Sequence, residues 1–89
     1  MQFEWDQTKS DRNRRERGFG FDYAALIFAG RVAEWEDDRE DYGETRVRAV
    51  GRAGDDLLHV VYTDRGQTRR IISARLASKK ERTLWLAAV

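Results

Sequence analysis

The sequence predicts an α+β fold: an antiparallel β-sheet packed by two N-terminal helices and one short C-terminal helix, in the order β-α-α-β-β-β-β-α. Three observations carry this. Leu57 to Thr63 and Thr68 to Ala74 are rich in β-branched residues and flank Gly66, the pattern of a hairpin. Asp6 and Gly18, then Asp22 and Gly30, each pair a helix-starting carboxylate with a glycine stop. Ser78-Lys79-Lys80-Glu81 spells a capping box, in which a serine hydroxyl and a glutamate carboxylate reciprocally satisfy free amides at a helix start.

Taken in order, Phe3-Glu4-Trp5 alternates apolar and polar and reads as a short strand. Gln7 to Arg17 contains good helix formers but no apolar stripe, so this helix lies on the surface or depends on partners. Tyr23 to Ala29 reads as a buried helix capped by Asp22, with Leu26 spaced to pack on Phe21 as a hydrophobic staple. Val32 to Glu36 is a weak strand, Asp37 to Gly43 an acidic loop, and Glu44 to Gly51 a strand in which Val47 and Ala49 separate Arg46 and Arg48. With Arg65-Gly66 as the hairpin turn, Thr63 pairs with Thr68, Tyr62 opposes Arg69, Val61 opposes Arg70 and His59 opposes Ile72. That register puts Arg69, Ile71, Ser73 and Arg75 on one face and His59 on the other. Leu84, Trp85 and Leu86 supply the core contacts of the last helix.

Eighty-nine residues make one domain, 1–89. There is no cysteine and one histidine, which removes disulfides and thiolate metal sites; no metal and no cofactor is expected. No apolar run approaches the ~18 residues of a membrane span and no charged-then-apolar leader is visible, so the expectation is a soluble cytoplasmic protein without membrane partners. The net charge of +1 conceals two poles. From Glu34 to Glu44 seven acids face Arg39 alone, while from Arg65 to Arg82 seven cations face Glu81 alone. Fourteen arginines to three lysines lean toward phosphate contacts, because the guanidinium fork matches phosphate oxygens.

The cationic pole is the candidate site. Arg65 at the hairpin tip, Arg69 and Arg75 at the two ends of a strand face, and Lys79 or Lys80 at a helix N-terminus converge on one groove in this reading. The bland alternative is a solvated basic face. His59 points away from that groove and reads as a packed residue, and Glu81 is occupied by its capping box. The acidic loop lacks calcium-ligand spacing and reads as a partner-facing or solvated surface. Tyr62, Trp5, Trp35 and Trp85 are core residues by default, with base stacking the alternative. No phosphate-binding glycine loop, nucleophile elbow or zinc motif occurs.

Phe3-Glu4-Trp5-Asp6, Lys9, Asn13, Gly18, Phe21 and Ala24 resemble the opening of BrnT-type toxins. Gly43-Glu44-x-Arg46, Gly51, Val60-Val61-Tyr62-Thr63, Arg65-Gly66, Arg70-Ile71-Ile72-Ser73-Ala74-Arg75-x-Ala77 and Glu81 continue the resemblance over nearly the whole chain. It implies a RelE-like fold and a ribonuclease toxin of a type II toxin–antitoxin pair that cleaves RNA and inhibits translation. It also implies neutralisation by a BrnA-like ribbon-helix-helix antitoxin, a dimeric complex with it, and contact with operator DNA only through it. On that footing Arg65 and Arg75 hold phosphate and transition-state charge, Lys80 is the acid, and Glu81 or Tyr62 is the base. Arg69, Arg70, Lys79 and Tyr62 then bind RNA. The family usually carries Lys-His where Glu16-Arg17 stand here, and often Asp-Pro after the second helix, where Phe28 is followed here by Ala29-Gly30 and the chain has no proline. The alternative is therefore a catalytically weakened or inactive module that binds RNA or antitoxin.

Overall fold

The computed structural model describes residues 1–88. Strand β1 (Gln2–Trp5) runs into Asp6, whose carboxylate accepts from the Lys9 amide at 3.2 Å and starts helix α1 (Gln7–Arg17). Gly18 closes α1 in the left-handed region at φ 87°, returning its N–H to the Arg14 carbonyl. The two buried residues of α1 are polar, Ser10 and Asn13. Ser10 Oγ accepts from the Phe21 amide and Asn13 Nδ2 donates to the Phe19 carbonyl, both at 2.9 Å. Hydrogen bonds to the following turn hold this helix in place of an apolar face.

Helix α2 (Phe21–Ala24) tightens into a 3₁₀ turn over Ala25–Ala29. Its N-cap is Gly20, not Asp22, and the missing cap is the Ser10 hydroxyl reaching across from α1. Starting earlier than expected rotates the helix. Phe21, Ala24 and Ile27, spaced by three as a 3₁₀ turn favours, face the sheet, while Leu26 is 53% exposed and makes no staple. Asp22 instead pairs with Arg14 at 3.2 Å.

Strands β2 (Val32–Glu36), β3 (Val47–Ala53), β4 (Asp56–Arg65) and β5 (Thr68–Leu76) precede helix α3 (Lys79–Ala87). They form a five-stranded sheet in the order β1-β5-β4-β3-β2. The α+β class and element order are as expected, but the sheet is mixed: β1 lies parallel to β5, with Trp5 opposite Ile71. A parallel pair needs a long crossover, and nearly the whole chain separates these two strands.

The hairpin register differs from the expected one. Arg65 pairs with Thr68, so Gly66-Gln67 is the turn, with Gly66 at φ 62° in the first central position as a type II′ turn requires. Tyr62 pairs with Ile71 but Val61 pairs with Ser73, leaving Ile72 as an extra residue. That bulge switches the sides of β5. Arg69 and Ile71 lie on the face of Tyr62, whereas Arg75 sits opposite His59 on the other face. Arg69 and Arg75 therefore do not share a face.

The face under α2 is apolar: Phe21, Ala24 and Ile27 pack on Ala49, Leu58, Val60, Tyr62, Ile71 and Ala74. Central strand β4 is buried on both sides from Leu58 to Thr63, with His59 and Thr63 as the polar residues of that stretch. Helix α3 lies on the opposite face. Leu84 and Leu86 are 43% and 63% exposed, so they are not the core contacts expected of them; half-buried Trp85 stacks on the Arg31 guanidinium at 3.9 Å. Among the described residues no helix is long and apolar enough to cross a membrane.

Ser10→Ala should leave the Phe21 amide buried without a partner and cost about 1–3 kcal/mol, read as a lower urea midpoint with an unchanged slope. An unchanged midpoint would show that α1 is held by something else.

Candidate functional site

Alternation along β3 puts Arg48 on the face opposite the apolar core, β4 adds His59 and Thr63 to it, and Arg46, just before β3, lines a hollow with Arg70. Past the bulge β5 contributes Arg75, and before it Arg70. This second face is polar and largely arginine.

Its buried centre is Glu81, the third residue of α3. Its Oε1 accepts from Arg75 Nη1 and from the Ser78 amide, each at 2.8 Å. Its Oε2 accepts from Arg75 Nη2 at 2.8 Å and Arg48 Nη2 at 3.3 Å. The expected capping box is therefore present, with Ser78 Oγ accepting from the Glu81 amide, but the same carboxylate also clamps two arginines. The bidentate Arg75 fork, then the Ser78 amide, hold the Glu81 carboxyl down at about 2 against the opposing effect of burial.

His59 belongs to this cluster, contrary to the expected register. It is 2% exposed, and its Nε2 accepts from Arg48 Nε at 3.0 Å. Burial, then the Arg75 charge, lower its pKa to about 4, although Glu81 Oε2 at 3.8 Å pulls the other way. The imidazole is therefore neutral near pH 7, with its proton assigned to Nδ1 because Nε2 is an acceptor. Trp35 packs beside it, ring centroids 6.3 Å apart.

A second cluster lies further along the same face. Lys9, Arg46, Arg65 and Arg70 line a hollow of ≈ 200 Å³ with Asp6, Glu44, Ile71 and Ile72. Arg65 reaches Glu44 at 3.4 Å and Glu4 at 4.0 Å, and Arg70 reaches Glu4 at 3.7 Å. A neighbouring hollow of ≈ 360 Å³ under α1 shares Lys9, Arg46 and Ile72 and adds Arg12, Arg17 and Ser73. His59 and Thr63, which pair with Arg75 and Arg70, are four residues apart, about 13 Å of strand. One phosphate cannot touch both clusters; a strand can.

The expected residues thus divide. Arg75 and Glu81 form the buried clamp, and Arg65 and Arg70 the hollow. Lys79 and Lys80 are exposed on the first turn of α3. Arg69 and Tyr62 lie on the other face. Arg69 pairs with Asp64 at 2.8 Å and stacks over Tyr62 at 3.9 Å and Phe28 at 4.7 Å. The Tyr62 hydroxyl donates to Glu34, and burial pushes its pKa up. Arg46, Arg48 and the α1 cations were missed as site residues; the Arg46-Val47-Arg48 alternation was the signal for the first two. Arg17, where the resemblance leads one to expect histidine, donates to Asn13 Oδ1 at 2.9 Å and the Ala74 carbonyl at 3.2 Å. It reaches β5 beyond the end of β1, where that edge has no strand partner.

Acid should act on this cluster in two stages. His59 titrates lower in the fold than its ordinary 6.5, so the unfolded chain takes up that proton first and stability falls as pH drops from about 6.5 to about 4, by roughly 2–3 kcal/mol. Glu81 and Asp37, the latter held at about 2 mainly by its Arg39 partner, extend the loss from about 4.5 downward. Urea midpoints across pH 7 to 4 check this, and His59→Gln should flatten the upper stage only.

No curated protein sequence matches the chain. Residues 5–81, which carry both clusters, match the family model described as the ribonuclease toxin BrnT of a type II toxin–antitoxin system. That span covers most of the 89 residues, and the chain accordingly belongs to the BrnT family of ribonuclease toxins.

Proposed function

We propose that this chain is a cytoplasmic endoribonuclease that cleaves RNA without a metal ion, halts translation, and is neutralised by a BrnA-like ribbon-helix-helix antitoxin. The observation that carries the reading is the convergence of Arg48 and Arg75, from strands on either side of β4, on one carboxylate. A carboxylate and the non-bridging oxygens of a phosphodiester offer a guanidinium the same fork. Arg75 and Arg48 keep 37% and 21% of their side-chain surface open, room for a phosphate on their outer sides.

In this scheme the RNA 2′-oxygen attacks the adjacent phosphorus as the bond to the 5′-oxygen breaks, leaving a 2′,3′-cyclic phosphate and a 5′-hydroxyl. Arg48 and Arg75 stabilise the extra negative charge of the transition state. Lys80, next to Glu81 on the exposed first turn of α3, is the ammonium available to the leaving oxygen, and water takes the 2′ proton. Glu81 is a poor base with its carboxyl held at about 2, so its work is to aim the two arginines. Arg65, Arg70, Arg46 and Lys79 hold the flanking backbone. Tyr62 and Arg69, occupied on the other face, receive no RNA contact in this reading.

Purified protein should cut RNA equally well with and without chelator. Arg75→Ala and Arg48→Ala should each lower the rate by about 10²–10³, while Arg15→Ala, exposed on α1, should not. Full activity in both arginine variants would sink the assignment. The second reading rests on Arg17, whose guanidinium stays charged and cannot transfer protons as a histidine does. RNA bound but never cut would make the chain a binding module of the same fold.

A further inference from the structure

Apart from Glu44, which pairs with Arg65 in the arginine hollow, the acidic pole has no part in the chemistry above, and it begins on a strand at an open sheet edge. Strand β2 ends the sheet, with β3 on one side and no strand on the other among the described residues. Asp37 N donates to the Arg46 carbonyl at 2.8 Å, which makes these two a hydrogen-bonded pair. Alternation along an antiparallel ladder then turns the backbone groups of Ala33 and Trp35 toward β3 and those of Glu34 and Glu36 outward.

A concavity of ≈ 490 Å³ follows this edge, lined by Val32, Ala33, Glu34, Trp35, Leu84 and Ala88. Neighbours in a strand point to opposite faces, so a hollow lined by four consecutive residues runs along the edge itself. Leu84, 43% exposed, gives it an apolar wall from α3. Its polar wall is the exposed Glu34, and the exposed Glu36 follows two residues on along the same strand, where a second, acidic hollow of ≈ 320 Å³ begins that Asp38, Glu40 and Asp41 also line. Two copies of this edge would set like charges against each other, which disfavours self-pairing.

We propose that β2 is a docking edge for an extended segment of a partner protein, about five residues long, that alternates cationic and apolar side chains. The segment adds as a sixth strand. Its backbone bonds to Glu34 and Glu36, its apolar side chains enter the hollow beside Leu84, and its cations meet these carboxylates. The antitoxin is the chain that carries such a segment; this identification rests on the family reading, whereas the edge itself does not depend on the RNA chemistry of Arg48 and Arg75.

The test uses the full chain and a capped heptapeptide of alternating arginine and valine. NMR-detected hydrogen exchange should show the Glu34 and Glu36 amides protected on binding, and a glutamate–valine peptide of the same pattern should not bind. Glu36→Pro removes one outward donor without touching the β3 ladder and should weaken binding about tenfold. Glu36→Lys/Asp38→Lys should abolish it, and both variants should retain RNA cleavage. No binding, binding without protection of those amides, or undiminished binding by Glu36→Pro would each overturn the proposal. No RNA cleavage by the unaltered chain, with its peptide binding intact, would count against the nuclease reading alone.

Discussion

Four hydrogen bonds converge on the carboxylate of Glu81, and the second face of the sheet is organised around them. The bond from the Ser78 amide ties that carboxylate to the start of α3, and the bonds from Arg75 and Arg48 tie it to β5 and β3. The position of the C-terminal helix and the aim of two arginines are thus a single constraint. Apolar packing by this helix is partial, since Leu84 and Leu86 are 43% and 63% exposed. Removing either side of a buried ion pair leaves an uncompensated charge, so the clamp is costly to break even where its net contribution to stability is small. His59 fits beside it because a neutral imidazole accepts from Arg48 without adding a third positive charge.

The bulge in β5 decides what each face is for. Without the extra Ile72, Arg75 would follow Arg69 onto the helix-covered face and the clamp would lose its bidentate donor. With it, Arg69 closes over Tyr62 and Phe28 beside the core while Arg75 faces α3. The same sheet therefore carries an apolar interior on one side and a cationic surface on the other. Apart from Glu44, which pairs with Arg46 and Arg65 on the arginine-rich face, the acidic pole lies along and beyond the β2 edge.

Much of the fold was legible. Asp6, Gly18 and the Ser78–Glu81 box mark helix ends by local chemistry, and each does so in the structure. The expected sites that moved did so for identifiable reasons. Gly66 serves equally in an Arg65-Gly66 or a Gly66-Gln67 turn, and the choice shifts every cross-strand pair. The bulge leaves no local signature in Ile71-Ile72-Ser73. The cap of α2 comes from Ser10, eleven residues upstream, which no local pattern announces. Arg46 and Arg48 were visible as a same-face pair, but their neighbours across β4 became known only with the register.

The sequence by itself determined the α+β class, the order of the elements, both ends of α1, the start of α3, the two charge poles and the family, because each depends on residues close in the chain or on the overall pattern. Tertiary structure alone decided that β1 joins β5 in parallel, that His59 sits with Arg75 and Glu81, and that Arg69 does not. Those outcomes depend on register, and one residue of slip moves a side chain to the opposite face of a sheet.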